Sequence, residues 1–266
     1  MNEGPFRMQS QSKPKRKRKI GKWLLLSLSS LVLLVVLGMA IAYPLLKYEP
    51  LEEAKQAMNS DTVVEVKQGD NSFIFEPAGE SANQPSVIFY PGAFVDAESY
   101  APLARKLAEA GHRVYIAEMP FDLAIFGQNK ADTIMEQHPN DRYVIGGHSL
   151  GGAFAARYAS ENTDKLEGVF FLGSYADKGG SLKDTHLNVL QITGTNDGVL
   201  NWDVWEESKQ NLPEATTKFV SIEGGNHAQF GTYGKQKGDQ DAAISPQQQL
   251  DEVSGAIVDW MQTLKK

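Results

Sequence analysis

Past residue 60 the chain alternates two hydrophobic patterns. Short unbroken apolar runs, such as Val87-Ile88-Phe89-Tyr90, are separated by longer stretches whose apolar residues recur every three or four positions. Unbroken runs fit strands buried on both faces, and the wider spacing fits helices with one buried face. Val63–Val66 and Phe73–Phe75 flank Gly69-Asp70-Asn71, which predicts a hairpin. The run 87–90 is then a buried strand, and Tyr100–Ala110 a helix with Leu103 and Leu107 on one face and Gly111 as its stop. Further strands are predicted at Val114–Ala117, Tyr143–Ile145, Val169–Leu172, Val189–Thr193 and Phe219–Ile222. Helices are predicted within 127–138, at Leu150–Ser160 and over about 247–264. Repeated β-α-β order predicts an α/β domain with a mostly parallel central sheet and helices on both faces. Active groups then collect in the loops at the carboxyl ends of the strands.

The first 60 residues have a different pattern. Residues 1–22 hold eight Lys and Arg against one acid, Glu3, a net +7; the whole chain is −7, so the rest carries −14. Trp23–Tyr43 is uncharged over 21 residues, long enough as a helix to cross a bilayer core of roughly 30 Å. The chain therefore reads as a basic cytoplasmic tail (1–22), a transmembrane signal-anchor helix (23–43), a partly helical tether (44–60) and a catalytic domain (61–266). Basic residues ahead of the span place the N-terminus in the cytoplasm and the domain outside the membrane. The alternative is a cleaved signal peptide, since Ala40-Ile41-Ala42 has the small-x-small form of a cleavage site, and the domain is then secreted. The acidic domain disfavours nucleic acid as a partner. No cysteine is present, which excludes disulfides, a thiolate nucleophile and Cys-ligated metal. The pattern carries no signal for or against an oligomer.

The candidate chemistry begins at Gly147-His148-Ser149-Leu150-Gly151, a G-x-S-x-G set between a β-rich run and a helix-forming one. Strand–turn–helix is the setting of a nucleophile elbow, whose turn is too sharp for a Cβ beside the serine, hence Gly147 and Gly151. A Gly-rich loop ahead of an ordinary helix is the plainer explanation. A serine hydroxyl needs a neighbouring base. His227 follows the strand Phe219–Ile222 and so lies in a carboxyl-end loop. His112 and His186 precede strands, His138 ends a helix, and His148 points elsewhere from the turn. Asp197, after Val189–Thr193, is placed to orient that histidine, with an Asx turn before Gly198 as its plainer role and Asp203 and Asp96 as fallbacks. An acyl-transfer site also needs N–H donors. The N–H of Leu150 is one candidate; the other is Ala93 in Pro91-Gly92-Ala93-Phe94, with Phe94 second.

The order Ser149…Asp197…His227, with YPGAFVDAESYAPLARKLAEAG, GGHSLGG, GTNDG and GGNHAQFG, resembles the α/β-hydrolase superfamily over about residues 62–264. It is most similar to the small, lidless dienelactone-hydrolase-like and esterase-like members. The resemblance implies hydrolysis of an ester or thioester through a seryl acyl-enzyme, without metal or organic cofactor. Dienelactone hydrolases use cysteine, so Ser149 separates this chain from their substrate. Only Gly173–Asn188 joins the strand after the nucleophile helix to the strand before the acid, which leaves no room for a large cap domain. The site should be open, covered by short loops such as Phe121–Phe126, with 228–234 as a further lining segment or, alternatively, solvent-facing filler. The expected partner is a small-molecule or lipid-like acyl substrate. The alternatives are a peptidase or amidase on the same fold, or an inactive binding module.

Overall fold

The computed structural model describes residues 43–79 and 84–264, with Met1, Gly4, Ser30, Leu33, Leu34 and Gly38 before them. It divides into two units, Met1–Leu46 and Lys47–Lys266. In the first, the described residues from Ser30 to Leu46 are helical. Among the described residues no helix is long and apolar enough to cross a membrane. The expected span at 23–43 lies outside the described residues except at Ser30, Leu33, Leu34, Gly38 and Tyr43, and the basic tail outside them except at Met1 and Gly4.

The second unit opens with the segment read as a tether, and from Lys47 onward that segment is packed on the domain. Tyr48 bridges Val95 and donates its N–H to the Phe94 carbonyl at 2.7 Å. Helix α1 (Glu52–Ala57) buries Ala54, and its end is held by Arg105, which donates to the Ala57 carbonyl at 2.9 and 3.0 Å. Ala54, with Tyr48, Ala57 and Met58 against the core and the carbonyl held by Arg105, docks a stretch whose polar content reads as linker.

Eight strands follow: β1 (Val64–Gln68), β2 (Ser72–Pro77), β3 (Ser86–Tyr90), β4 (Val114–Ala117), β5 (Tyr143–His148), β6 (Gly168–Leu172), β7 (Asn188–Gly194) and β8 (Thr217–Ile222). They form one sheet in the order β1-β2-β4-β3-β5-β6-β7-β8. The hairpin β1–β2 is antiparallel and joins β4 antiparallel; every other pair is parallel. Alternate residues of the central strands feed two cores. Val87 and Phe89 face α2 (Ala101–Glu109) and α6 (Pro246–Thr263), through Leu103, Leu107, Ile257 and Trp260. Ile88 and Tyr90 face α3 (Lys130–Gln137) and α4 (Leu150–Glu161), through Ile134, Phe154 and Tyr158. This is the expected α/β layering, with no cap among the described residues. The loop between β6 and β7 holds one short turn of 3-10 helix, Lys178–Gly180. A short helix, α5 (Trp202–Ser208), follows β7.

Register puts the site-bearing loops side by side. Tyr90 lies opposite Gly147, His148 opposite Leu172, Leu172 opposite Ile192, and Gly194 opposite Ile222. The carboxyl ends of β3, β5, β6, β7 and β8 therefore finish in one row.

Candidate active site

Ser149 stands between β5 and α4 with φ 51° and ψ −124°, a backbone conformation that costs a non-glycine residue about 1–3 kcal/mol. The turn is held on both sides. The Ser149 N–H donates to the Leu172 carbonyl at 3.0 Å, and the Ser174 hydroxyl donates to the Ser149 carbonyl at 2.6 Å. Both flanking glycines are required by close approach. A Cβ on Gly147 would stand 2.6 Å from the Gly151 carbonyl carbon, and one on Gly151 would collide with the Tyr90 and Pro91 carbonyl oxygens.

His227 and Asp197 come together behind the serine. His227 Nδ1 lies 2.7 Å from Asp197 Oδ2, and both residues are 1% exposed. Asp197 Oδ1 accepts the N–H groups of Val199 (2.9 Å) and Leu200 (2.7 Å), so the carboxylate cannot swing away. His227 Nε2 is buried without a hydrogen-bond partner, and His227 and Ser149 line the same cleft. Gly173, at φ 51°, makes room for the pair: a Cβ there would lie 2.9 Å from His227 Nδ1 and 3.0 Å from Asp197 Oδ2. The fallback acids are elsewhere. Asp96 pairs with Lys47 at 2.7 Å, and Asp203 is exposed in the first turn of α5.

Two supports of the base loop carried no signal in the sequence. Asp239 accepts from Ala228 N–H at 2.8 Å and Gly198 N–H at 2.9 Å, tying the loops of His227 and Asp197 together. Gln249 of α6 donates to the Asn226 carbonyl at 2.8 Å and accepts the Asn226 N–H at 3.0 Å. Each stands in a run of polar residues that gives no sign of which one turns inward, and Gln249 is fully buried.

His148 points away from the cleft. Its Nδ1 lies 2.8 Å from the Tyr100 hydroxyl, which accepts the Gly92 N–H at 3.0 Å and so keeps its own proton for Nδ1. Its ring centre is 4.4 Å from that of His227. Burial, and then the adjacent His227, hold the His148 imidazole well below its usual pKa, so it stays neutral.

The candidate N–H donors differ in what surrounds them. The Phe94 N–H is taken by the Asp122 carbonyl at 2.8 Å. Leu150 is the first residue of α4, where an N–H has no intrahelical acceptor, and it lines the cleft. Ala93 is half-buried on the loop after β3, outside the lining of the cleft.

The cleft has a volume of about 450 Å³, and Leu150, Ala153, Phe154, Val199, Leu200 and Val204 contribute apolar wall. Arg157 and Asp177 also line it, paired with each other, and the Arg157 hydrogen bond holds the Asp177 carboxyl below the usual range. The segment 228–234 does not line it. Phe230 and Tyr233 are buried against the His148 ring, because aromatic side chains beside a buried imidazole gain more from packing than from exposure. Phe121–Phe126 is likewise outside the lining, with Phe121, Ile125 and Phe126 exposed. Among the described residues no group of three His, Asp or Glu side chains is arranged to hold a metal ion.

Residues 86–251 match the profile of the alpha/beta hydrolase family, more than half of the chain, and the protein belongs to that family. No curated protein matches it by sequence. Its fold is similar to dienelactone hydrolase from Anabaena variabilis, 14% identical, covering 77% of this chain and 100% of that one with a TM-score of 0.57. It is similar also to a thermostable esterase from Pseudomonas putida, at 18% identity over 80% of this chain and 86% of that one, TM-score 0.56. A soluble variant of monoglyceride lipase from Saccharomyces cerevisiae shares 12% identity over 78% of this chain and 97% of that one, TM-score 0.56. At these identities the likeness is one of fold.

Proposed function

We propose that the protein is a membrane-anchored serine hydrolase that cleaves carboxylic esters or thioesters through an acyl-enzyme. The observation that carries this reading is the buried His227–Asp197 pair, at 2.7 Å, bordering the cleft that Ser149 lines. Ester-acting proteins among the structural neighbours lend it further support.

In the proposed reaction Ser149 Oγ attacks the ester carbonyl as His227 Nε2 takes its proton. Asp197 holds the Nδ1–H tautomer and stabilises the imidazolium. The oxyanion is met by the N–H of Leu150, at the positive end of α4, and by that of Ala93. His227 then returns the proton to the departing alcohol or thiol, leaving the acyl group on Ser149. Water, deprotonated by the same imidazole, attacks the acyl carbonyl, and Ser149 leaves with the proton. The apolar wall suits an uncharged acyl or alcohol chain. With p-nitrophenyl esters, Ser149→Ala is expected to abolish turnover, and Asp197→Asn to lower kcat on the order of 10⁴-fold with the fold retained. Undiminished turnover in either variant would remove that residue from the mechanism.

Anchoring rests on the uncharged residues 23–43 behind a basic tail, with the N-terminus cytoplasmic and the catalytic domain outside. The mass of the mature N-terminus tests it: a protein beginning at Tyr43 would be a secreted form instead.

A further inference from the structure

Of the eight exposed large apolar side chains described in the domain, Leu51, Val63 and Phe219 stand singly and the other five do not. Phe121, Ile125 and Phe126 are 68%, 56% and 60% exposed and sit together on the loop after β4, Phe121 and Phe126 edge to face at 5.9 Å. Trp202 and Val204, also partly bare, follow the carboxyl end of β7, so these five share the edge of the sheet that carries Ser149 and His227. The backbone of the first loop is committed to this display. Phe121 and Asp122 both have positive φ, 56° and 51°, and the Asp122 carbonyl is bonded to Phe94 N–H.

The same loop marks where the chain enters the domain. Lys47 Nζ lies 2.7 Å from Asp96 and 3.9 Å from Asp122. Tyr43 and Lys47 are four peptide steps apart, a reach of at most about 14 Å even fully extended. A bilayer holding residues 23–43 must therefore come within that distance of Lys47, which is paired with Asp96 on the loop after β3, itself joined through the Phe94–Asp122 bond to the loop that bears the bare aromatics. A second copy of the chain is the poorer occupant. Phe121, Ile125 and Phe126 together offer roughly 350 Å², taking about 200 Å² for a fully exposed large side chain, whereas a stable partner needs about 800 Å² a side. Aromatic and branched side chains of this number suit the headgroup–acyl boundary of a membrane.

We propose that Phe121, Ile125 and Phe126 form a docking face that inserts into the lipid bilayer surface and turns the mouth of the catalytic cleft toward the membrane. This rests on the anchored reading above, and it does not depend on the catalytic one. The absence of native cysteine makes the test direct. Full-length Phe126→Cys, carrying a nitrobenzoxadiazole label, is reconstituted in phosphatidylethanolamine–phosphatidylglycerol vesicles with a nitroxide-bearing lipid. Glu109→Cys, exposed at the end of α2 on the opposite edge of the sheet, is treated alike. The expected result is loss of emission from position 126 and none from position 109, in proteins that float with the vesicles. Flotation with neither position quenched, or with both quenched equally, overturns the docking face while the anchor stands. Failure to float removes the anchor and the docking face together.

Discussion

Tyr100 and His148 occupy the space between the two halves of the candidate site. The Tyr100 hydroxyl receives Gly92 N–H from the loop that carries Ala93, and His148 stacks beside His227. During turnover His227 would become an imidazolium, and a second charge 4.4 Å away would oppose it. Neutrality of His148 would therefore favour His227 as the proposed base, and it has a thermodynamic signature. Because its folded-state pKa lies well below the ordinary value near 6.5, the unfolded chain takes up this proton first as the pH falls. The stabilisation is full above about pH 6.5 and is lost as the pH drops toward the folded-state value, at no more than about 1.4 kcal/mol per pH unit. Urea unfolding of the wild type and His148→Asn, which keeps an acceptor for Tyr100, is expected to show a shallower loss between pH 7.5 and 5 in the variant. Parallel curves would mean that His148 does not titrate as its burial requires.

Among the elements, α6 does more than close the sheet. Its first turns bring Gln249 under the base loop, where the amide satisfies both the N–H and the carbonyl of Asn226, one residue before His227. Gln249→Ala leaves both buried groups without a partner, at a cost of about 1–3 kcal/mol each. Thermal unfolding should show that loss, and ester turnover should fall through kcat with KM little changed, since His227 shifts while the cleft walls remain. A variant as stable and as active as the wild type would make the clamp incidental. Such contacts explain where sequence reading stops. The runs 87–90 and 143–145, Gly147 and Gly151, and the loop positions of Ser149, Asp197 and His227 were legible because local spacing and strand–turn–helix order encode them. Gln249, Asp239, Ser174 and Gly173 were not. Their roles arise only when residues distant along the chain meet, as Gly173 does with His227 and Asp197. Residues 47–60 looked like a linker because their apolar anchors, Ala54, Ala57 and Met58, are few and small among charged and polar neighbours. The loop 228–234 looked like a site wall because buried and binding aromatics are alike in sequence.

At the scale of the molecule, the parallel register gathers five strand ends into one row, and the short β6–β7 connection leaves that row uncovered. The fold thus supplies an uncapped apolar cleft, and chemistry depends on how well the row itself is organised. The backbone strain at Ser149, the Gly173 gap and the clamps on the base loop all serve that organisation. The central claim is that this organisation activates one serine among the many in the chain. Treating the full-length protein with a fluorophosphonate probe, in parallel with Ser149→Ala, and locating the label by peptide mass tests it most directly. Label confined to Ser149 and absent from the variant is the expected result; a folded wild-type protein that takes no label, or takes it on another residue, would contradict it.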